Sequence, residues 1–196
     1  MTGIWSIILA AGESRRMGYP KMLLEFRGKT MLENVIEHVA GSGTDGILVV
    51  LGANREKLTG IVENCGVRYC INDNYKEGML SSVQCGIRNL PAGIRAVMVF
   101  QGDQPLIFPH VIDRLIEAYG TTGKGLVIPV YGGKRGHPLL IGSRYREEID
   151  SLSHEEGLRA ITGMHSEDIL EVAVNDPGIL KDFDTWDDYK TELNQT

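Results

Sequence analysis

The sequence predicts an α/β fold in which a mostly parallel sheet carries helices on both faces. Three observations predict it. Short apolar runs recur at 4–9, 47–51, 67–71, 96–100 and 126–131. Segments with helical spacing of apolar residues separate them. The composition, 42% hydrophobic and 23% charged over 196 residues, is that of an ordinary globular chain able to bury a substantial core. Strands alternating with helices build βαβ units, and the right-handed crossover rule places the helices on both sides of the sheet.

The run at 4–9 is the first strand, and it runs into the small-residue turn LAAGESRRMGYPK at 9–21. Met31, Leu32, Val35, Ile36 and Val39 then follow helical spacing. Thr30 caps that helix, with Glu33 three residues on completing a capping box. After the strand at 47–51, Leu58, Ile61 and Val62 mark a second helix. The strand at 67–71 leads through GMLSS at 78–82 into a third helix marked by Val83, Ile87 and Leu90. The strand at 96–100 precedes a fourth helix, with Val111, Ile112, Leu115 and Ile116 on its apolar face. Pro109 suits its first turn, where a missing N–H costs little. The strand at 126–131 is followed by Gly132, Gly133, Gly136 and Pro138, so the apolar run at 139–141 is expected as an antiparallel excursion. Tyr145 and Arg146 open another helix, and Trp186–Leu193 forms a short final one. Residues 194–196 are expected to fray. Without an internal repeat or linker, 1–196 reads as a single domain.

The formal net charge is −6, which argues against a general binder of nucleic acid or of anionic membranes. No apolar run approaches the roughly 20 residues that span a bilayer, and no signal peptide is evident. Three cysteines, Cys65, Cys70 and Cys85, have neither zinc spacing nor a disulfide pattern. Reduced thiols and a cytoplasmic location are the expectation.

A local cationic loop in an acidic protein points to a small anionic ligand. In LAAGESRRMGYPK, Gly12 and two alanines let backbone approach a ligand closely, and exposed N–H groups form an anion-binding concavity. Arg15, Arg16 and Lys21 supply charge that neutralises phosphate oxygens. The segment reads as a triphosphate grip, although it matches neither the P-loop nor the dinucleotide pattern. A surface turn with solvated cations is the competing reading.

In open α/β sheets, ligands bind beyond the carboxyl ends of the strands, where other polar segments also fall. Asp103, in GDQP at 102–105, is placed to hold Mg²⁺ against triphosphate oxygens, or is a turn aspartate. DFDT at 182–185 offers the second carboxylate candidate, with either aspartate or Thr185 alternatively only an N-cap. Gly78 permits approach to a base or ribose, and Ser81 or Ser82 bonds the nucleotide or caps the helix. Met79 reads as a packing residue. GGKRGHP at 132–138 covers an acceptor phosphate or is a plain hairpin turn. His137 has no local Ser or Cys partner, so a hydrolase triad is unsupported. The other four histidines read as surface or packing residues.

LAAGESRRMGYPK, the 78–82 segment, GDQP, RGHP at 135–138 and DFDT occur in this order. Together they resemble the MobA-like nucleotidyltransferases, and within them the molybdenum cofactor cytidylyltransferases. The resemblance spans nearly the whole chain. It implies a three-layer Rossmann-like nucleotidyltransferase fold with a mostly parallel mixed sheet. It also implies transfer of a nucleotidyl group from an NTP to a phosphorylated acceptor, with pyrophosphate leaving. Leu9, Ala10, Ala11 and Gly12 would contact the nucleotide, with Gly78 and Ser82 near the nucleoside. Arg16 would stabilise the triphosphate and Lys21 the α-phosphate. Asp103 and Asp184 would hold Mg²⁺, and Arg135 and His137 would meet the acceptor. The AAG form resembles cytidylyl-transferring members, which implies CTP rather than another NTP. Molybdopterin is the implied acceptor, and a molybdoenzyme or delivery protein the implied partner. Trp186 departs from the proline common after the Asp-Thr step.

An acceptor phosphate is already nucleophilic, so the protein's tasks are alignment and charge neutralisation rather than strong base catalysis. Transfer to a sugar phosphate, and a nonenzymatic nucleotide- or cofactor-binding chaperone, are the alternatives. Lys21→Ala is expected to cost turnover more than folding.

Overall fold

A computed structural model describes residues 3–193; the fraying expected at 194–196 lies outside the described residues. The elements, in chain order, are β1 (Ile4–Ala10), β2 (Glu25–Phe26), β3 (Lys29–Thr30), α1 (Met31–Ala40), β4 (Gly46–Leu51), α2 (Arg55–Asn64), β5 (Arg68–Ile71) and α3 (Met79–Arg88). There follow β6 (Ala96–Gln101), α4 (Pro109–Thr122), β7 (Leu126–Tyr131), β8 (Lys134–Arg135), β9 (Leu139–Gly142), α5 (Arg146–Ser151), α6 (Arg159–Met164), β10 (Ile169–Ala173) and α7 (Trp186–Leu193).

The main sheet has the order β10-β7-β9-β6-β1-β4-β5, with β8 added on β7. Pairing is parallel between β10 and β7 and throughout β6-β1-β4-β5. Strand β9 lies antiparallel to both β6 and β7, as the glycine- and proline-rich approach to it predicted. The parallel strands therefore point their carboxyl ends to one edge. From β1 the chain steps outward through β4 and β5, then crosses back to place β6 on the other side of β1. That reversal opens a crevice between the ends of β1 and β6.

Alternation along the strands sorts the core into two layers. Ile4, Ile8 and Ala10 of β1 pack with Leu32 and Val35 of α1, Leu58 of α2 and Ile112 of α4. Ile7 and Leu9 face the other way, toward Leu80 and Val83 of α3, Ile149 of α5 and Ile161 of α6. The result is a three-layer α/β fold. A third, smaller cluster joins Met17, Leu24, Phe26, Met31, Leu106 and Phe183. It ties the loop after β1 to the segment before α7.

The capping box is present: Thr30 Oγ1 accepts from Glu33 N at 3.2 Å, and Glu33 Oε2 accepts from Thr30 N at 2.7 Å. Pro109 occupies the first turn of α4. The third helix ends at Arg88, so Leu90 packs from the following turn rather than from the helix. Sequence periodicity did not mark β2, β3, α6 or β10. The β2–β3 pair turns through Arg27 and Gly28 at φ 52° and 80°, a turn without the usual Asn-Gly signature.

Candidate active site

The loop after β1 is held in shape by its own backbone. Ser14, at φ 54°, accepts at its carbonyl from Met17 N and Gly18 N, both at 3.1 Å. Its hydroxyl accepts from Lys21 N at 2.9 Å, which fixes where the Lys21 side chain starts. From the far end of the chain, the Trp186 indole N–H donates to Met17 O at 3.0 Å. The residue that departs from the family's usual proline thus pins the loop.

Two close approaches bring the strand ends together. At Gly52, just past β4, a Cβ would lie 2.8 Å from Ala11 O and 2.9 Å from Tyr75 Cβ. At Gly102, just past β6, it would lie 3.0 Å from Leu9 O and 2.8 Å from Met22 Sδ. Only glycine lets these backbones meet undisplaced.

At this junction Lys21 Nζ donates to Asp103 Oδ2 at 2.5 Å and to Asp184 Oδ1 at 2.8 Å. Arg16 pairs with the second Asp184 oxygen. The Lys21 and Asp103 side chains are 13% and 9% exposed, against 38% for Asp184, so the bridge lies mostly out of water. Burial works against the Lys21 charge, but the two carboxylates outweigh it and hold the ammonium above its ordinary value. The Lys21 hydrogen bond, with Arg16 beside it, holds Asp184 below the usual carboxylate range. Burial and the neighbouring Asp184 and Asp103 push Asp182 up.

The capping question in DFDT resolves here. Thr185 Oγ1 accepts from Asp188 N at 3.2 Å, and Asp188 Oδ2 accepts from Thr185 N at 2.8 Å. Thr185 is the cap of α7, which leaves Asp184 available to the site.

An open cleft of about 390 Å³ surrounds these groups, within the range of ligand pockets. Of the residues expected at the nucleotide, Leu9, Ala11, Gly12, Gly78 and Ser82 line it. Arg16, Lys21, Asp103 and Asp184 line it as well. Ala10 is completely buried on the opposite face of β1, because alternation turns its side chain away. Arg135 lies on exposed β8, paired with Glu171 at 2.7 Å, and is not in the cleft lining. His137 sits one step behind the wall, with its Nε2 2.9 Å from Nε2 of Gln101, which does line the cleft. Burial holds His137 below its ordinary value.

Arg15, expected to neutralise phosphate, lines the cleft too, with Ser14, Met22, Tyr75 and Gln101; of these last four, only Gln101 carried a sequence signal, as the residue before Gly102-Asp103. Met79 is not a packing residue: it is 48% exposed and faces the cleft. Gly78, at φ 103°, turns the chain so that α3 begins with Met79 outward. Ser81 is used structurally, donating to Gly78 O at 2.8 Å. Asn72 Nδ2 donates to both Ser81 Oγ and Ser82 Oγ, at 2.9 and 3.0 Å.

The MobA-like NTP transferase domain matches residues 6–169. The chain belongs to this family. Among curated relatives, the molybdenum cofactor cytidylyltransferase of Escherichia coli strain K12 is 26% identical over 191 residues, covering 97% of this chain and 96% of the relative. The bifunctional protein GlmU of Corynebacterium aurimucosum is 30% identical over 161 residues, covering 78% of this chain. The aligned part is 32% of GlmU, so the match spans about a third of that relative's length. Rv0371c from Mycobacterium tuberculosis H37Rv superposes with a TM-score of 0.83 at 26% identity, covering 97% of both chains. Rv0371c has also been solved in complex with manganese, at a TM-score of 0.80, 24% identity, and coverage of 98% of this chain and 99% of that one.

Proposed function

We propose that the protein is a Mg²⁺-dependent nucleotidyltransferase that moves CMP from CTP to molybdopterin, releasing pyrophosphate. One observation carries the reading: Lys21 bridges Asp103 and Asp184 at the bottom of a cleft built from strand-end loops. Two carboxylates from separate loops converge on one positive charge, so the donor set suits a cation. No group of three or more His, Cys, Asp or Glu is placed to hold a metal among the described residues. Mg²⁺ typically needs only one or two carboxylates and completes its shell with phosphates and water.

Asp103 and Asp184 are the residues that would hold the ion. When bound, Mg²⁺ supplies neutralising charge to the triphosphate. Lys21 leaves the carboxylates and turns its ammonium to the α-phosphate, where charge develops during transfer. Arg16, at the mouth, neutralises the outer phosphates. Ala11 and Gly12 keep the backbone close to the triphosphate, while Gly78, Met79 and Ser82 border the nucleoside. The acceptor phosphate oxygen attacks the α-phosphorus, the bond to the bridging oxygen breaks, and pyrophosphate leaves. His137 borders the acceptor side through Gln101.

The match to the E. coli molybdenum cofactor cytidylyltransferase over nearly both chains supports the choice of CTP and molybdopterin, as does the AAG turn. Purified protein incubated with Mg²⁺, molybdenum-loaded molybdopterin and each NTP in turn tests it. Release of pyrophosphate is expected with CTP. Release that instead follows a sugar phosphate acceptor, or another NTP, overturns the specific reaction. Stoichiometric binding without turnover, unaffected by Asp103→Asn, would make the protein a chaperone.

A further inference from the structure

We propose that Cys70 and Cys85 form a reversible disulfide in the folded protein, making the seam between β5 and α3 a site of thiol oxidation. Their sulfurs lie 3.8 Å apart, already in contact, although 15 residues separate them in sequence. A disulfide needs the sulfurs at about 2.0 Å. Strand β5 is placed to give that movement, because it is the edge of the sheet and pairs only with β4. It can shift without breaking a second ladder.

Both thiols are half-buried rather than sealed in the core. Burial, and then the neighbouring Cys85, push the Cys70 thiol up to about 12. Either sulfur can make the first attack, with the other resolving it. Cys65 is excluded by topology. It packs against the core layer on one face of the sheet, whereas Cys70 and Cys85 pack against the layer on the other.

With oxidised glutathione as co-reactant, the electrons balance. One cysteine of the pair attacks a glutathione sulfur as its thiolate, the glutathione S–S bond breaks, and one glutathione thiolate leaves. The other cysteine loses its proton and attacks the first cysteine's sulfur, which releases the second glutathione thiolate. The dithiol is oxidised by two electrons, and glutathione disulfide is reduced to two thiols. The bond fastens the edge strand to the helix whose first turn carries Met79 and Ser82 in the cleft wall.

Trypsin places each cysteine on its own peptide, 58–68, 69–76 and 77–88, so peptide mapping reads the pairing directly. The full-length native protein is incubated with oxidised glutathione, alkylated at low pH and digested. A 69–76 to 77–88 cross-link is expected as the main product, with loss of two hydrogens, Cys65 still alkylatable, and full reversal by dithiothreitol. Cys70→Ser and Cys85→Ser should each lose the cross-link and stall at a glutathione adduct on the remaining cysteine of the pair. Cross-links that include Cys65, or a 70–85 link formed only in denaturant, would overturn the proposal.

Discussion

At the scale of one residue, Lys21 joins two carboxylates from separate loops. The sequence places it in a cationic turn and assigns it to phosphate neutralisation, so its loss is expected to cost turnover more than folding. The structure adds a folding cost. Its ammonium is the counter-charge of a mostly buried Asp103 and of Asp184. Removing one partner of a buried pair leaves uncompensated charge and costs up to about 3–5 kcal/mol, less here because Asp184 is 38% exposed. Lys21→Met should abolish turnover and also lower the melting midpoint in EDTA. Added Mg²⁺ should restore that midpoint more than it raises the wild-type value, because a cation then replaces the ammonium. Calorimetry with and without EDTA measures both. A midpoint unmoved by the substitution would contradict the bridge.

Among the elements, α7 does more than its sequence suggests. Its apolar face is weak, yet Trp186 holds the loop after β1 through Met17 O, and Tyr189 packs beside Phe183. Trp186→Phe removes the donor and keeps most of the ring. The lost hydrogen bond is worth about 0.5–1.5 kcal/mol, so the fold should persist with a slightly lower midpoint. The apparent KM for the NTP should rise several-fold as the loop loosens, which steady-state kinetics at saturating acceptor would reveal. Unchanged KM would mean that Ser14 and the glycine contacts suffice. Elements whose signals are local were legible: the capping box at Thr30, Pro109 in α4, the five parallel runs and the antiparallel β9. Strand β10 was not, because only Val172 within it is buried and an edge strand needs little apolar pattern. The β2–β3 pair was missed because two-residue strands are too short to show alternation.

Across the whole molecule, two half-buried histidines, His38 and His137, set an acid limit. Burial holds both His38 and His137 below the ordinary value of 6.5. Asp103 and Asp182 act in the opposite sense on His137, as does Glu37 on His38, while Arg27 reinforces the lowering at His38. A base whose folded pKa is depressed binds fewer protons folded than unfolded. Its contribution is therefore complete above pH 6.5 and is lost as the pH falls through the folded values. The melting midpoint should decline as the pH is lowered below that point. In a His38→Gln, His137→Gln double variant the decline should be shallower. Melts at matched ionic strength across this window test it; an equal slope in both proteins would remove the histidines from the explanation.

The sequence alone determined the α/β class, the order of the five main parallel strands, the cationic, small-residue character of the first loop, and the family to which the chain is similar. These rest on periodicity, turn chemistry and contiguous motifs, all encoded over short spans. Only the tertiary structure decided that Asp184, rather than Thr185, enters the site and that Lys21 bridges it to Asp103. It alone turned Ala10 into the core, drew Arg135 away to Glu171, set Met79 in the cleft wall and brought Cys70 against Cys85. Each of these depends on which residues distant in the chain the sheet order makes neighbours, and on which face alternation turns each side chain.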